Sequence, residues 1–455
     1  MNGNQWYRYV MAGLMCLCGV ARYAGAATIE IATVEELQKI GNEGGWPLSG
    51  TYILTNDIDA SETETWNEGM GFDPIGDYNA DNSFHIDGQG YVIKNLYINR
   101  PDKIQVGLTV QLSQYCSITN LGLEDCTIIG KGLVGGFSSR NSGPIRNCYL
   151  KGTTVKGEDQ IGGITGENRS ELIDCYVEAS FVEGSQATVG GLMALNYGTI
   201  SNCHVHADVK GETKVGGFIG NNQKDISNCY SEGTVTATGG SAGGFIAQNF
   251  GPTINDCFST ASVAGTEEVG GLIGTNDGSI NDCYATGSVT GSISVGGLIG
   301  SHQRNTVNRC YATGDVRGIE TDAFSYSADV GGLIGTKEMF DNEAIDCYAS
   351  GNVTSTSNGY SFGGLVGFND KGDIRRCYAV GSVACRRYGG GLAGSFSGGN
   401  MNSCFARGTV VTEEYDAGGL IGYNGGIITD CYAWASVKGA LSDNNLDTVT
   451  FFKLV

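Results

Sequence analysis

The feature that most constrains this chain is its periodicity. Gly-Gly pairs end at Gly136, Gly163, Gly191, Gly217, Gly244, Gly271, Gly297, Gly332, Gly364, Gly391 and Gly419, and each is followed 12 to 15 residues later by a cysteine. Those cysteines are Cys148, Cys175, Cys203, Cys229, Cys257, Cys283, Cys310, Cys347, Cys377, Cys404 and Cys431, most of them 26 to 28 residues apart. Eleven units thus share one pattern, approximately V-G-G-L-I-G, a turn, I-x-[DN]-C-Y-A, then G-x-V-x-G. A unit of this size holds two or three short strands and cannot bury an apolar face alone, so its neighbours must stack on it. The expected fold is all-β: a parallel β-helix or β-solenoid of about eleven coils of ~27 residues with an N-terminal cap, a rod roughly 50 Å long at one inter-strand spacing per coil. Composition agrees, with 74 glycines, 5 prolines and charged residues at only 16%, while Val, Ile, Thr and Tyr lie between Gly and Asn punctuation.

Stacking turns each position of the unit into a column. Three residues before the cysteine stand Ile145, Leu172, Ile200, Ile226, Ile254, Ile280 and their equivalents, a core column. Just before it come Asn147, Asp174, Asn202, Asn228, Asp256, Asp282, Asp346 and Asp430, turn-capping residues whose bend would let Ile280 and Cys283 both face inward. The glycine pairs belong where a coil turns tightly or successive backbones meet.

The recurring "GGLIG" followed by "INDCYATGSV" resembles the GLUG-motif repeat proteins, over about residues 130–440. "DPIGDYNADNSFHIDGQGYVIKNLYI" and "ITNLGLEDC" resemble the region that precedes such repeats. The resemblance implies an exported bacterial β-solenoid, adhesin-like, and supplies no catalytic residues. Departures from the pattern are the long loop from Gly314 to Asp329, the degraded copy at Phe137-Ser138-Ser139, and Arg309 and Arg376 in the acidic column.

Residues 1–26 read as an export signal: Arg8, an apolar run from Val10 to Ala21, then Ala24-Gly25-Ala26 as a processing site with cleavage after Ala26. Cys16 follows Met15 and Cys18 follows Leu17, which disfavours lipid attachment, so a secreted or cell-surface product is expected. No stretch of about 18 apolar residues exists to span a bilayer. A net charge of −21 would repel phosphate backbones, so nucleic acid is not an expected partner. Residues 27–129 are read as the N-terminal cap with the first coils, opened by a capping-box helix at Thr33–Glu36 that runs through Leu37 and Ile40. Residues 130–440 are the repeat solenoid, and residues 441–455 a tail that could close the other end.

Fourteen cysteines remain after the signal, an even number in an oxidising compartment. Equivalent positions on successive coils are nevertheless spaced at about 4.8 Å, wider than the Cβ separation of a disulfide, so the column reads as buried free thiols. Cys116, Cys126 and Cys385 lie outside it and are the candidates for pairing. After each column cysteine comes Tyr149, Tyr176, His204, Tyr230, Phe258, Tyr284, Tyr311, Tyr348, Tyr378, Phe405 or Tyr432, which strand alternation turns outward into an aromatic ladder. Tyr284, Tyr311, Tyr348 and Tyr378 form its longest all-Tyr run and are the candidate ligand-binding residues, for an extracellular glycan or protein partner.

No catalytic constellation is identified. β-Solenoids also carry polysaccharide lyases and hydrolases, and the place to look for one is an exception to the repeat, above all the loop carrying Asp315, Glu320, Asp322 and Asp329. A structural spacer without a ligand is the third reading. His204 and His206 share a strand face but have no third ligand, His85 and His302 are isolated, and neither "DIDASETE" nor "NADNSFHIDGQG" has EF-hand spacing. No cofactor is expected, and structural Ca²⁺ is kept as an alternative at the acidic turns. The function expected is therefore a non-enzymatic exported interaction protein.

Overall fold

A computed structural model describes residues 28–78, 82–186, 188–320, 328–339, 342–356, 359–414, 416–439 and 448–454; the expected leader lies outside them. The described chain is a coil wound about fifteen times, with strands of successive coils paired parallel and in register. The unit from Glu267 to Gly291 shows one coil. Glu267–Gly270 belongs to a first sheet of twelve described strands, Ile273–Asn276 to a second of twelve, and Ser279–Asn281 to a third of fifteen. Tyr284–Ala285 and Val289–Gly291 then run along a fourth sheet.

The expected eleven coils undercount the rod. Thr28–Ile31, Thr51–Leu54, His85–Asp87 and Ser117–Thr119 add four strands to the third sheet ahead of the eleven repeats. Only the last of these coils has described strands in all four sheets, through Gln105–Val106 and Thr109–Leu112, and it lacks the marker residues: Leu121 stacks beneath Cys148, and a single glycine, Gly107, stands where later coils have two. At one strand spacing per coil the rod is roughly 70 Å long.

Two local devices make the coil. At the bend between the third and fourth sheets the residue before the cysteine has a left-handed backbone, φ +54° at Asp282 and +52° at Asn147. Asn and Asp tolerate that region because their short side chains hydrogen-bond locally. Arg309, Arg376 and Ser403 adopt it too, at φ +52°, +51° and +55°. The reversal breaks strand alternation, so Ile280, Cys283 and Ala285 all point inward and are fully buried. At the corner between the first and second sheets a Cβ on Gly271 would fall inside the carbonyl oxygen of Gly297 in the next coil, so only glycine lets the backbones approach.

At the N-terminal end, helix Val34–Lys39 starts from the capping box read in the sequence. The Glu36 amide donates to Thr33 Oγ1 (3.3 Å) and the Ala32 amide donates to Glu36 Oε2 (2.7 Å). Val34, Leu37 and Ile40 bury against the first coils, covering their core. At the other end Thr448–Leu454 pairs antiparallel with Cys431–Lys438, so the tail closes the fourth sheet.

Candidate binding surface

Tyr284, Tyr311, Tyr348 and Tyr378 are successive rungs on the outside of the fourth sheet. Their ring centroids are 4.8, 4.8 and 4.9 Å apart, with interplanar angles of 2°, 5° and 3°. The stack continues upstream without a gap through Phe258, Tyr230, His204 and Tyr176 to Tyr149. Each ring covers the faces of its neighbours, so what solvent meets is a row of ring edges and phenol hydroxyls. Burial raises the hydroxyl pKa of Tyr284, Tyr311 and Tyr348 above the usual phenol value, and Tyr378 is the most exposed of the four at 40%. Each stacked pair contributes about 0.5–1.5 kcal/mol beyond area burial, a stabilisation of the coil stack in its own right.

Behind the ladder runs the cysteine column. All fourteen described cysteines are buried and free. Cys283 Sγ donates to the Asn281 carbonyl (3.0 Å) and accepts from the Cys257 amide of the preceding coil (3.4 Å). Burial pushes the Cys229 thiol up to about 11, which keeps it protonated, whereas at the end of the column the hydrogen bond with Cys404 brings Cys431 down to about 7. The expectation that Cys116, Cys126 and Cys385 pair is corrected here. Cys126 stands over Thr153 and Cys385 over Thr412, and Cys116 Sγ donates to the Asn82 carbonyl (3.2 Å), so none has a cysteine in the next coil to bond.

A third column was not read from the sequence. Five residues after the glycine pair stand Asn141, Asn168, Asn196, Asn222, Asn249 and Asn276, all fully buried. Each Nδ2 donates to the Oδ1 of the next, at 2.9, 3.0, 2.9, 2.8 and 2.8 Å. Most also close their own turn, as when the Gly251 amide donates to Asn249 Oδ1 (3.2 Å). Asn276 Nδ2 donates to His302 Nδ1 (3.1 Å), and His302 Nε2 donates to the Asn305 carbonyl (3.1 Å). Burial, with Lys337 next to it, pushes His302 down to about 3. Lys337 follows, its Nζ donating to the Asn342 carbonyl (2.8 Å) and Oδ1 (2.5 Å), and burial pushes it down to about 7.

The remaining singled-out residues have structural partners. His204 is a ladder rung, His206 Nδ1 lies 3.3 Å from Glu178, and His85 Nδ1 is 2.8 Å from Ser117 Oγ. Asp315 accepts from the Asn352 amide (2.8 Å) of the following coil, and Asp322 lies outside the described residues. Among the described residues no three His, Cys, Asp or Glu side chains converge on a metal position, and no helix is long and apolar enough to cross a membrane.

On the outer corner of the first and second sheets, polar side chains form a seam. Ser241 Oγ and Thr275 Oγ1 both donate to Glu268 Oε2 (2.6 and 2.5 Å), and the Ser294 and Thr336 hydroxyls lie 2.7 Å apart. Further along, the seam opens into a cleft of about 390 Å³ lined by Asp329, Tyr360, Ser361, Phe368, Tyr388, Ser395 and Tyr423. Burial pushes the Asp329 carboxyl up to about 6. Tyr388 and Tyr423 meet edge to face, centroids 6.4 Å apart at 66°, unlike the closed ladder.

The sequence model of the GLUG motif matches residues 211–236, 265–290 and 358–384. The chain carries GLUG repeats on a β-solenoid. The match at 265–290 covers all but the last residue of the coil from Glu267 to Gly291, including the Gly270-Gly271 corner, Asn276, left-handed Asp282, Cys283 and Tyr284. The match at 358–384 contributes Tyr360, Ser361 and Phe368 to the cleft. Halomucin of Haloquadratum walsbyi (strain DSM 16790 / HBSQ001) is 35% identical over 136 residues, 28% of this chain; the matched region is 2% of halomucin's own length. A crystal structure of a putative immunoglobulin A1 protease from Bacteroides ovatus is similar at a TM-score of 0.39 and 21% identity, over 58% of this chain and 76% of that one.

Proposed function

We propose that this GLUG-repeat solenoid is an exported, non-enzymatic interaction protein that binds an extracellular glycan or protein along its outer face. The observation that carries the reading is the in-register stack, which converts one outward side chain per unit into an extended surface array, with aromatic rings continuous from Tyr149 to Tyr378. Exposed aromatic surface marks recognition. Export is supported by the charged, apolar and small-residue pattern of residues 1–26.

The test is capture by the mature chain on a glycan array and in pull-downs from an extracellular fraction, repeated with Tyr284, Tyr311, Tyr348 and Tyr378 all replaced by Ser. Retention of a defined glycan or protein by the native chain supports the reading, and its loss in the fourfold variant places the contact on the ladder. Release of reducing ends from a polysaccharide panel would establish the enzyme instead. No retained partner of either kind would leave a spacer.

A further inference from the structure

One line of the second sheet changes character along the rod, from Arg140, Glu167, Leu195, Asn221 and Gln248 through three small hydroxyls to the rings of the stretch from Asp329 to Tyr423. In successive coils of the second sheet the residue preceding the buried ladder position is Thr275, Ser301 and Thr336, then Phe368, Ser395 and Tyr423. On the facing line of the first sheet Asp329 is followed in register by Ser361, and the next coil places Tyr388 just before Gly389. Small hydroxyls upstream tie the two sheets together by direct hydrogen bonds, whereas the rings downstream hold the corner open.

The geometry points to a binding site in this cleft for a neutral oligosaccharide, lying along the rod axis. This inference rests on the interaction-protein reading and gives it a place and a ligand class. A volume of about 390 Å³ lies within the range of small-ligand clefts. Ring faces suit the C–H faces of pyranoses, and here Tyr388 and Tyr423 are angled rather than closed on each other. Between the rings lie hydrogen-bonding groups at the scale of sugar hydroxyls: the Asp329 carboxylate at one end, then the Ser361 and Ser395 hydroxyls. A chain of net charge −21 with a carboxylate in its cleft disfavours anionic polysaccharides. Because the cleft crosses several coils, it offers contacts at successive positions along an extended chain rather than one enclosed pocket.

The experiment titrates the mature chain calorimetrically with chitohexaose, cellohexaose, maltohexaose and mannohexaose, with hexagalacturonate as the anionic control. At least one neutral hexaose is expected to bind and the galacturonate not to. The double substitution Phe368→Thr with Tyr423→Thr installs a residue that the repeat itself carries on this line at Thr275 and Thr336, so the coils should still form. It should weaken binding about tenfold or more, the loss expected for two ring contacts. Asp329→Asn, which keeps the cleft's shape, should weaken it several-fold, while Tyr115→Ser, at an exposed tyrosine of an upstream coil, should leave it unchanged. Absence of binding by every neutral hexaose, or binding unaltered by both cleft variants, overturns the assignment. If binding follows the fourfold ladder variant instead, the interaction role stands and this site falls. If the cleft variants abolish capture of a protein while no glycan binds, the cleft is a protein contact and the oligosaccharide assignment fails.

Discussion

The coils holding Asn141 to Asn276 and those holding His302 to Phe396 solve the same packing problem with different residues. In the first group six buried amides pass hydrogen bonds from coil to coil and nearly all also cap their own turn. In the second group the line reads His302, Lys337, Asn369 and Phe396, and the amide chain is cut. The neighbours rebuild around the exception: Asn342 takes the Lys337 ammonium, and Asn369 Nδ2 turns to the carbonyls of Gly372 (3.0 Å) and Gly398 (2.9 Å). The repair leaves Asn369 Oδ1 buried without a hydrogen bond in mid-line, a state that in the first group occurs only at its upstream end, at Asn141 Oδ1. The strands with the broken ladder inside are also those with Thr336, Phe368 and Ser395 outside, so the least regular coils are the ones that open the cleft. A stacked fold tolerates such departures because each coil answers only to its neighbours.

The largest expected effect tests what the two groups share. Gly271→Ala sets a Cβ against the Gly297 carbonyl and should cost more than about 4 kcal/mol or prevent folding. Gly419 occupies the same place in the last described coil, where among the described residues a Cβ would meet no backbone carbonyl and its nearest neighbour would be Ala433 at 3.4 Å. Gly419→Ala should therefore change stability by less than about 1 kcal/mol. Urea denaturation of both variants decides it; equal losses would mean that coil-to-coil approach is not what demands glycine.

Lys337→Asn would restore the amide and remove a buried base. The folded state holds Lys337 at about 7 against an ordinary 10.5, so between those values the unfolded chain binds the extra proton. Stability of the native chain should accordingly rise with pH from about 7 to 10.5, by an amount on the order of a few kcal/mol. The Asn variant should be more stable at pH 7 and should lack this rise. A pH series of denaturation midpoints reads both, and parallel curves for the two chains would refute the buried charge.

Within the ladder itself, Asn222→Leu removes the acceptor of Asn196 and the donor to Asn249, and should cost about 2–3 kcal/mol through the orphaned amides. Asn369→Leu, where one amide atom is already unpaired, should cost distinctly less. Similar losses at the two sites would remove the distinction between an intact and a cut ladder.

These comparisons show what the sequence could reveal. Cys283 and Tyr284 were legible because the same residue types return next to one another in almost every coil, and alternation alone assigns their faces. The Asn column carries an equally plain signal, with Asn five residues after eight of the eleven glycine pairs. It was missed because a polar residue at that distance reads as a turn, and only stacking makes it a buried donor and acceptor at once. The upstream coils escaped counting for the opposite reason: Leu121 packs like a cysteine without marking the period. Cys126 and Cys385 were misjudged because their coil partners, Thr153 and Thr412, follow from register and not from spacing. The cleft was out of reach, since its residues come from four coils and share no motif.

The smallest effect belongs to the exposed bend column, where the two groups again differ. In the regular coils Asn147 Nδ2 donates to Asn120 Oδ1 (2.8 Å) and Asn202 Nδ2 to Asp174 Oδ1 (3.2 Å). In the irregular ones Arg309 grips Asp282 with Nε (2.6 Å) and Nη2 (2.5 Å), and Arg376 grips Asp346 in the same way. The guanidinium holds the Asp282 carboxyl below its usual value, so the contribution of this pair is present above about pH 3.8 and is lost as pH falls through the lowered value. Both partners are exposed, and exposed pairs contribute little in salt. Arg309→Asn should thus leave the neutral-pH midpoint unmoved, because a residue better suited to the left-handed bend offsets the lost pair. Arg309→Asp should instead place a carboxylate between Asp282 and Asp346 and lower the midpoint at low ionic strength, with recovery as salt is added. A loss that salt does not relieve would show that the arginine acts through packing of its side-chain stem rather than its charge.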